Sequence, residues 1–198
     1  MPSRETREYY DFMREMELLT LIRSRRSVLR FEKGDVSDQQ IESILEAGRW
    51  APSYINSQPW EFFVLRDAAL RERTADILQR VTISWQGVVQ APVIIIVAVD
   101  ASIDPRHHIE DGAAAAQNMA LMAHGLGLST FWAGLYGEND NRGTPEDELR
   151  TLLGAPRTLR FVAALPVGHV AYVPEGNRRP LLEIVHRDGY KNGKRPHR

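Results

Sequence analysis

The sequence predicts one mixed domain, α/β or α+β, built around a single sheet, and three observations predict it. The run Val93, Ile94, Ile95, Ile96, Val97 is β-branched without alternation, the pattern of a central strand buried on both faces. Segments with helical periodicity lie between most of the strand candidates. No linker long enough to divide the chain is visible in its 198 residues, a length that one domain accommodates.

The elements follow in order. Tyr9, Phe12, Met13, Met16, Leu19 and Ile22 recur at helical spacing between charges, so residues from about 5 to 23 read as an amphipathic helix that delivers the chain to RSRRSVLRF. Ser37 stands three residues before Gln40, a capping-box spacing, and Ile41, Ile44, Leu45 and Gly48 form one face of a second helix. Pro52 marks its end, because the residue before a proline is biased out of the helical region. Trp60 to Leu65 is a strand candidate, after which Asp67 can cap a third helix carrying Leu70, Ile77 and Leu78.

Beyond the central run, Asp104 and Pro105 are a helix start signal. The strong part of that helix is Asp111 to Ala123, where four alanines in a row allow close approach of a neighbour, and Gly125 and Gly127 punctuate its end. Thr130 to Tyr136 and Leu159 to Val167 are further strand candidates, separated by a short helix that opens at Thr144 and Pro145 and stops at Gly154. The tail from Pro174 to Arg198 is rich in Arg, Pro and Gly apart from Leu181, Leu182, Ile184 and Val185, an apolar piece that needs something else to pack on.

Composition narrows the chemistry. With 25 basic against 26 acidic residues and a net charge of -1, there is no basic field to recruit nucleic acid or an anionic membrane surface. The absence of cysteine removes disulfides, thiolate nucleophiles, iron-sulfur clusters and thiolate zinc sites together. His107 and His108 adjoin one another and no HExxH spacing occurs, so no metal site is expected. No GxSxG, GxxxxGK[ST] or GxGxxG is present, which argues against a hydrolase elbow, a P-loop and the usual dinucleotide fingerprint. The charged N-terminus lacks a secretory signal, so cytoplasmic residence is the expectation. The longest apolar run, Pro92 to Val99, falls far short of the ~20 residues of a membrane-spanning helix.

Three constellations could carry function. Arg25, Arg26 and Ser27, with Arg30, lie where a helix runs out; guanidinium forks and a hydroxyl suit a phosphomonoester, although a solvated basic turn has the same composition. In APSYINSQPWEF, residues 51 to 62, Ser53, Asn56 and Gln58 supply donors and acceptors from a loop held by Pro52 and Pro59. Such groups could read the edge of a flat heterocycle, or form an ordinary polar loop before a strand. Arg178 and Arg179 before Pro180 repeat the first pattern, with the same surface alternative.

Taken together, these segments resemble the nitroreductase family of FMN enzymes. The resemblance runs through RRSVLRF at 25 to 31, APSYINSQPWEF at 51 to 62, APVIIIVAVD at 91 to 100, DGAAAAQNMALMAHGLGLSTFWAGLY at 111 to 136 and PVGHVAYVPEGNRRPLLEIV at 166 to 185. It implies an α+β fold over residues 1–198, with a central, mainly antiparallel sheet flanked by helices, in an intertwined homodimer whose C-terminal arm wraps the partner. It implies FMN, with Arg25, Arg26, Ser27, Arg178 and Arg179 on the phosphate and ribityl side. Leu29 would lie at the polar edge of the ring, and Pro52, Ser53, Tyr54, Asn56 and Gln58 would reach the isoalloxazine from the other subunit. Trp132, Ala133, Gly134 and Leu135 would line the pocket with backbone groups.

The activity implied is electron transfer from NADH or NADPH to a small organic acceptor, such as a nitroaromatic, quinone, enone or flavin, by a ping-pong mechanism at flavin N5 without a catalytic side chain. A flavin-binding protein without nicotinamide turnover is the alternative: an FMN store, a flavin-fragmenting enzyme or a deazaflavin-linked reductase. Two positions depart from the family's pattern. Leu29 stands where Arg or Lys is frequent, leaving Arg30 as the nearby cation, and no lysine occurs among Ser84, Trp85, Gln86 and Gly87 before the central strand.

Overall fold

The computed structural model describes residues 17–82, 85–135 and 144–190. Its helices are α1 (17–24), α2 (Asp38–Arg49), α3 (Ala68–Leu78), α4 (Trp85–Gln90), α5 (His108–Gly125) and α6 (Pro145–Leu153). Its strands are β1 (Trp60–Leu65), β2 (Val93–Asp100), β3 (Ser129–Thr130), β4 (Ala133–Gly134) and β5 (Leu159–Gly168). The part of the first predicted helix that carries Tyr9, Phe12, Met13 and Met16 lies outside the described residues, as do Ser84, Tyr136 and the chain after residue 190.

The strands form one sheet in the order β1-β2-β5-β3, with β4 also on β5, and every named pairing is antiparallel. The predicted α+β class with a mainly antiparallel sheet therefore holds. β2 and β5 are its centre, and the unbroken apolar run of β2 is explained by the two layers it separates. Val93, Ile95 and Val97 face a core made with α2 and α5, while Ile94, Ile96 and Ala98 face another made with α3, α4 and α6. Each side chain from Val93 to Val99 is withdrawn from water by one layer or the other, so neither face tolerates a polar residue there.

Local signals set most element ends. The capping box of α2 is formed: Ser37 Oγ accepts the Gln40 N–H at 3.2 Å and Gln40 Oε1 accepts the Ser37 N–H at 3.0 Å. Asp67 caps α3 through the Leu70 N–H at 2.9 Å. Thr144 caps α6 ahead of Pro145, and Gly154 closes that helix in the left-handed region at φ 63°.

Two expectations need correction. Asp104 does not start α5: its carboxylate accepts the Arg106 and His107 N–H groups in a tight turn, and the helix begins at His108. The predicted strand from Thr130 to Tyr136 is divided into β3 and β4 around Phe131 and Trp132, because Phe131 turns into the core and meets Phe31 at 6.2 Å between ring centroids. The short helix α4 had no strong periodic signal and is placed by packing: at Gly87 a Cβ would stand 2.4 Å from the Leu29 carbonyl oxygen.

α5 is the element that positions the candidate site. It lies across β2 and β5, and the small residues Gly112, Ala115 and Ala116 let it approach them closely. A Cβ on Gly112 would come within 2.6 Å of Val162 Cγ2. Its two ends carry different groups.

Candidate functional site

At the C-terminal end of α5 the chain collects cations. α1 ends beside it, with Leu21 against Gly125, and the Ser24 hydroxyl lies 2.7 Å from His124 Nε2. Arg25, Arg26 and Arg178 converge here: burial, then Arg178 and Arg26, hold the Arg25 guanidinium below its ordinary value. Burial, then Arg25 and Arg26, lower His124. No carboxylate among the described residues is paired with Arg25 or Arg178. Two helix C-termini, each carrying a partial negative charge, offset part of the repulsion.

The arginines are not equivalent. Arg26 is committed to backbone, its Nη1 donating to the Arg23 and Arg25 carbonyls at 2.6 and 2.7 Å and its Nη2 reaching Gly176 O at 3.5 Å. Its Nε is buried without a partner. A Cβ on Gly176 would lie 2.2 Å from that Nε, so the C-terminal arm crosses here only because residue 176 has no side chain. Arg178 donates to the Asn177 carbonyl at 2.7 Å and otherwise faces solvent, and Arg179 is exposed.

Ser27 joins this cluster to the sheet through a parallel bridge with Thr130. The bridge brings 25–29 alongside 128–132. Leu29 is exposed at its side chain, with its carbonyl packed over Gly87. Trp132 is exposed, whereas the side chains of Ala133 and Leu135 are turned into the core and the backbone of Ala133 and Gly134 pairs with Ala164 and Ala163.

The opposite end of α5 holds the polar loop. Ile55, Asn56 and Gln58 have φ of 46°, 59° and 50°, a left-handed path that is costly for a β-branched residue. Asp111, buried in the first turn of α5, holds that path. Its carboxylate accepts the Tyr54 N–H at 3.0 Å and the Ser57 hydroxyl at 3.4 Å, and its carbonyl accepts the Trp60 indole N–H at 3.1 Å. Ser53 Oγ accepts the Gln58 N–H at 2.9 Å, which closes the loop. The Tyr54 ring stacks on His107 at 4.0 Å. Pro52, Tyr54, Asn56 and Gln58 are left facing outward.

The sequence-predicted residues thus fall into two groups. Arg25, Arg26, Ser27 and Arg178 gather at one end and Pro52 to Gln58 at the other, while Leu29 and Trp132 to Leu135 lead away from the first group along the sheet, Gly134 opposite Ala163. Asp111 and His124 mark the two ends of α5, and at ~1.5 Å per residue they stand ~20 Å apart along its axis. Sequence reasoning missed Asp111, His107 and His124, which contact these groups from the helix. The second of two carboxylates, set directly against a small and apolar helical run, was the available signal for Asp111.

Comparison with known proteins settles the lineage of this frame. Residues 22–169 match the sequence model of the nitroreductase family. The chain belongs to the nitroreductase family. A protein of Methanothermobacter thermautotrophicus, provisionally named NADH dehydrogenase/NAD(P)H nitroreductase, is 31% identical over 162 residues, 81% of either chain. A provisionally named nitroreductase from Desulfovibrio desulfuricans, solved in complex with FMN, is 36% identical with a TM-score of 0.70, covering 87% of this chain and 97% of that one. An FMN-dependent nitroreductase of Clostridium difficile has the same fold at a TM-score of 0.80 and 22% identity, covering 87% and 99%. The nitroreductase family is a family of oxidoreductases, and this chain is one. No helix among its described residues is long and apolar enough to cross a membrane.

Proposed function

We propose that this nitroreductase-family protein holds FMN and passes electrons from NADH or NADPH to a small oxidised organic acceptor, the two substrates using one position in turn. The observation that carries the reading is the cluster of Arg25 and Arg178 with no carboxylate facing it among the described residues. Bringing cations together at a part-buried place costs free energy that a dianionic phosphate would recover, and guanidinium forks suit its oxygens. The unpartnered Nε of Arg26 beside Gly176 marks the same spot. The Desulfovibrio relative's complex with FMN supports that identity for the phosphate.

Arg25 and Arg178 would hold the phosphate, with Ser27 adding a hydroxyl and Arg26 tying the C-terminal arm in place. Arg179 is near enough in sequence to contribute when the arm is ordered by a ligand. Leu29, Trp132 and the backbone from Ala133 to Leu135 would border the ring. The polar loop lies at the other end of α5, ~20 Å along its axis from the arginine cluster, which supports its serving a second flavin rather than this one. A second copy would supply Pro52, Ser53, Tyr54, Asn56 and Gln58, which makes the protein a homodimer. The exposed Leu181, Leu182, Ile184 and Val185 support this, since an apolar arm without a local core is stable when a partner covers it.

When bound, FMN supplies hydride and electron chemistry that no side chain here can perform. The chain's own part is to fix the phosphate, to exclude water from the ring's surroundings, and to present N–H, hydroxyl and amide groups to its edge. Anaerobic mixing of the FMN-loaded protein with NADH or NADPH tests the reading. Loss of the oxidised-flavin absorbance, restored by an added quinone or nitroaromatic, is the expected result. Flavin that stays oxidised under both nicotinamides overturns it in favour of storage, flavin fragmentation or a different reductant.

A further inference from the structure

A pocket of about 270 Å³ opens between the polar loop and the turn before α5. Ligand pockets usually measure ~300 to 1,000 Å³, so this one suits a single ring with one substituent rather than a large molecule. Its walls are Tyr54, Ile55 and Ser57 on one side and Ile103 to His107 on the other. We propose that it is a binding subsite for a flat aromatic acceptor carrying a negative charge, with the stacked Tyr54 and His107 rings as its platform and Arg106 as its counter-ion. Its use by an electron acceptor rests on the function proposed above.

Two features select an aromatic group. Tyr54 is half exposed although its ring is already stacked on His107, and Ile55 and Ile103 are exposed beside it, an apolar surface that no element among the described residues covers. Flat rings on such a platform gain contact without reorganising it. The platform is also rigid, since Asp111 pins Tyr54 and Ser57 from below and Asp104 pins the other wall.

Charge selects an anion. Besides His107 and the Tyr54 phenol, the acid and base that line the pocket are Asp104 and Arg106. Asp104 is buried, and its oxygens accept the Arg106 N–H at 2.9 Å and the His107 N–H at 3.1 Å, with His107 Nδ1 3.3 Å away. Burial alone would raise this carboxyl; those donors together outweigh it and keep the carboxylate ionised, directed inward. The Arg106 side chain is exposed and makes no ion pair among the described residues. The group left to meet a ligand's charge is therefore a guanidinium, and a carboxylate matches its fork. Because Tyr54, Ile55 and Ser57 belong to the loop assigned to the second copy's flavin, a ring seated here would lie at that flavin's border.

Calorimetric titration of 4-nitrobenzoate and its neutral isostere 4-nitrobenzamide into FMN-saturated, oxidised protein tests this. The carboxylate is expected to bind at least about tenfold tighter than the amide. Arg106→Gln should bring the ratio near one, and Tyr54→Leu should weaken both probes. Equal affinities, no binding of either probe, or a preference that survives Arg106→Gln overturns the proposal. The outcome is separable from the parent reading. Preference with a flavin that nicotinamides cannot bleach sinks the oxidoreductase function and leaves the subsite; bleaching without preference does the reverse.

Discussion

Replacing Asp111 by alanine should loosen the 52–58 loop while leaving the rest of the fold in place. The substitution removes a buried carboxylate that accepts the Tyr54 N–H at 3.0 Å and, more weakly, the Ser57 hydroxyl at 3.4 Å. A hydrogen bond to a charged group contributes roughly 1.5 to 3 kcal/mol. Against that stands the loop's own strain: Ile55 at φ 46° is a β-branched residue in the left-handed region, where the cost is of order 1 to 3 kcal/mol. Freed from Asp111, the loop relaxes and recovers part of this, so the net loss should be about 1 to 2 kcal/mol. For a chain of this length that corresponds to a fall in Tm of roughly 2 to 8 °C. Locally the effect is larger, because the Tyr54 amide loses its acceptor outright and its exchange should accelerate about ten- to hundredfold.

Hydrogen exchange followed by mass spectrometry of the 52–60 segment, together with a thermal melt, measures both quantities. The Trp60 indole bonds the Asp111 carbonyl, a backbone group that the substitution keeps, so Trp60 fluorescence serves as an internal control. Asp111→Asn retains one oxygen for the Tyr54 N–H and should fall between wild type and alanine. Unchanged exchange across 52–58 in Asp111→Ala would refute the claim that this carboxylate holds the loop.

Three further expectations follow from the same geometry. Arg25→Ala should weaken FMN binding by about tenfold or more, from the loss of one charge-assisted contact; unaltered affinity in a fluorescence-quenching titration removes Arg25 from the phosphate site. Leu29→Arg should raise the two-electron midpoint potential of bound FMN by tens of millivolts, since ~1.4 kcal/mol of added stabilisation of the reduced form corresponds to ~30 mV. Spectroelectrochemistry showing no rise with FMN retained would mean that Arg30 or a backbone donor already serves that edge. The FMN-free protein should lose stability as pH falls below ~6.5, because burial and the charges of Arg25 and Arg26 lower His124 in the folded state and the unfolded chain then binds the extra proton. The loss is complete once pH drops below the lowered value; His124→Gln should abolish this slope between pH 7 and 5, and coincident slopes would count against it.

The sequence by itself determined the elements whose causes are local. Ser37 with Gln40, Asp67, and Thr144 with Pro145 and Gly154 each name a helix end through a bond that closes within a few residues, and all are formed. The run of β2 announced its two buried faces because both layers demand apolar side chains at once. The motifs around Arg25, Ser53 and Arg178 announced a family, and the fold that the family implies is the fold observed.

Tertiary structure alone decided which of two competing local bonds forms and what depends on residues distant in sequence. Asp104 reads as a helix start and is a turn instead, because its own following N–H groups capture the carboxylate before a helix can use it. The expected strand after Thr130 divides because the core has room for Phe131 beside Phe31. Asp111 lies 57 residues from Tyr54, and nothing near either residue reveals that one fixes the other. The distance between the two polar groups is of the same kind. A sequence records which residues can bind, and the family resemblance divides them between two subunits, but the length of α5 sets the ~20 Å between the arginine cluster and the polar loop.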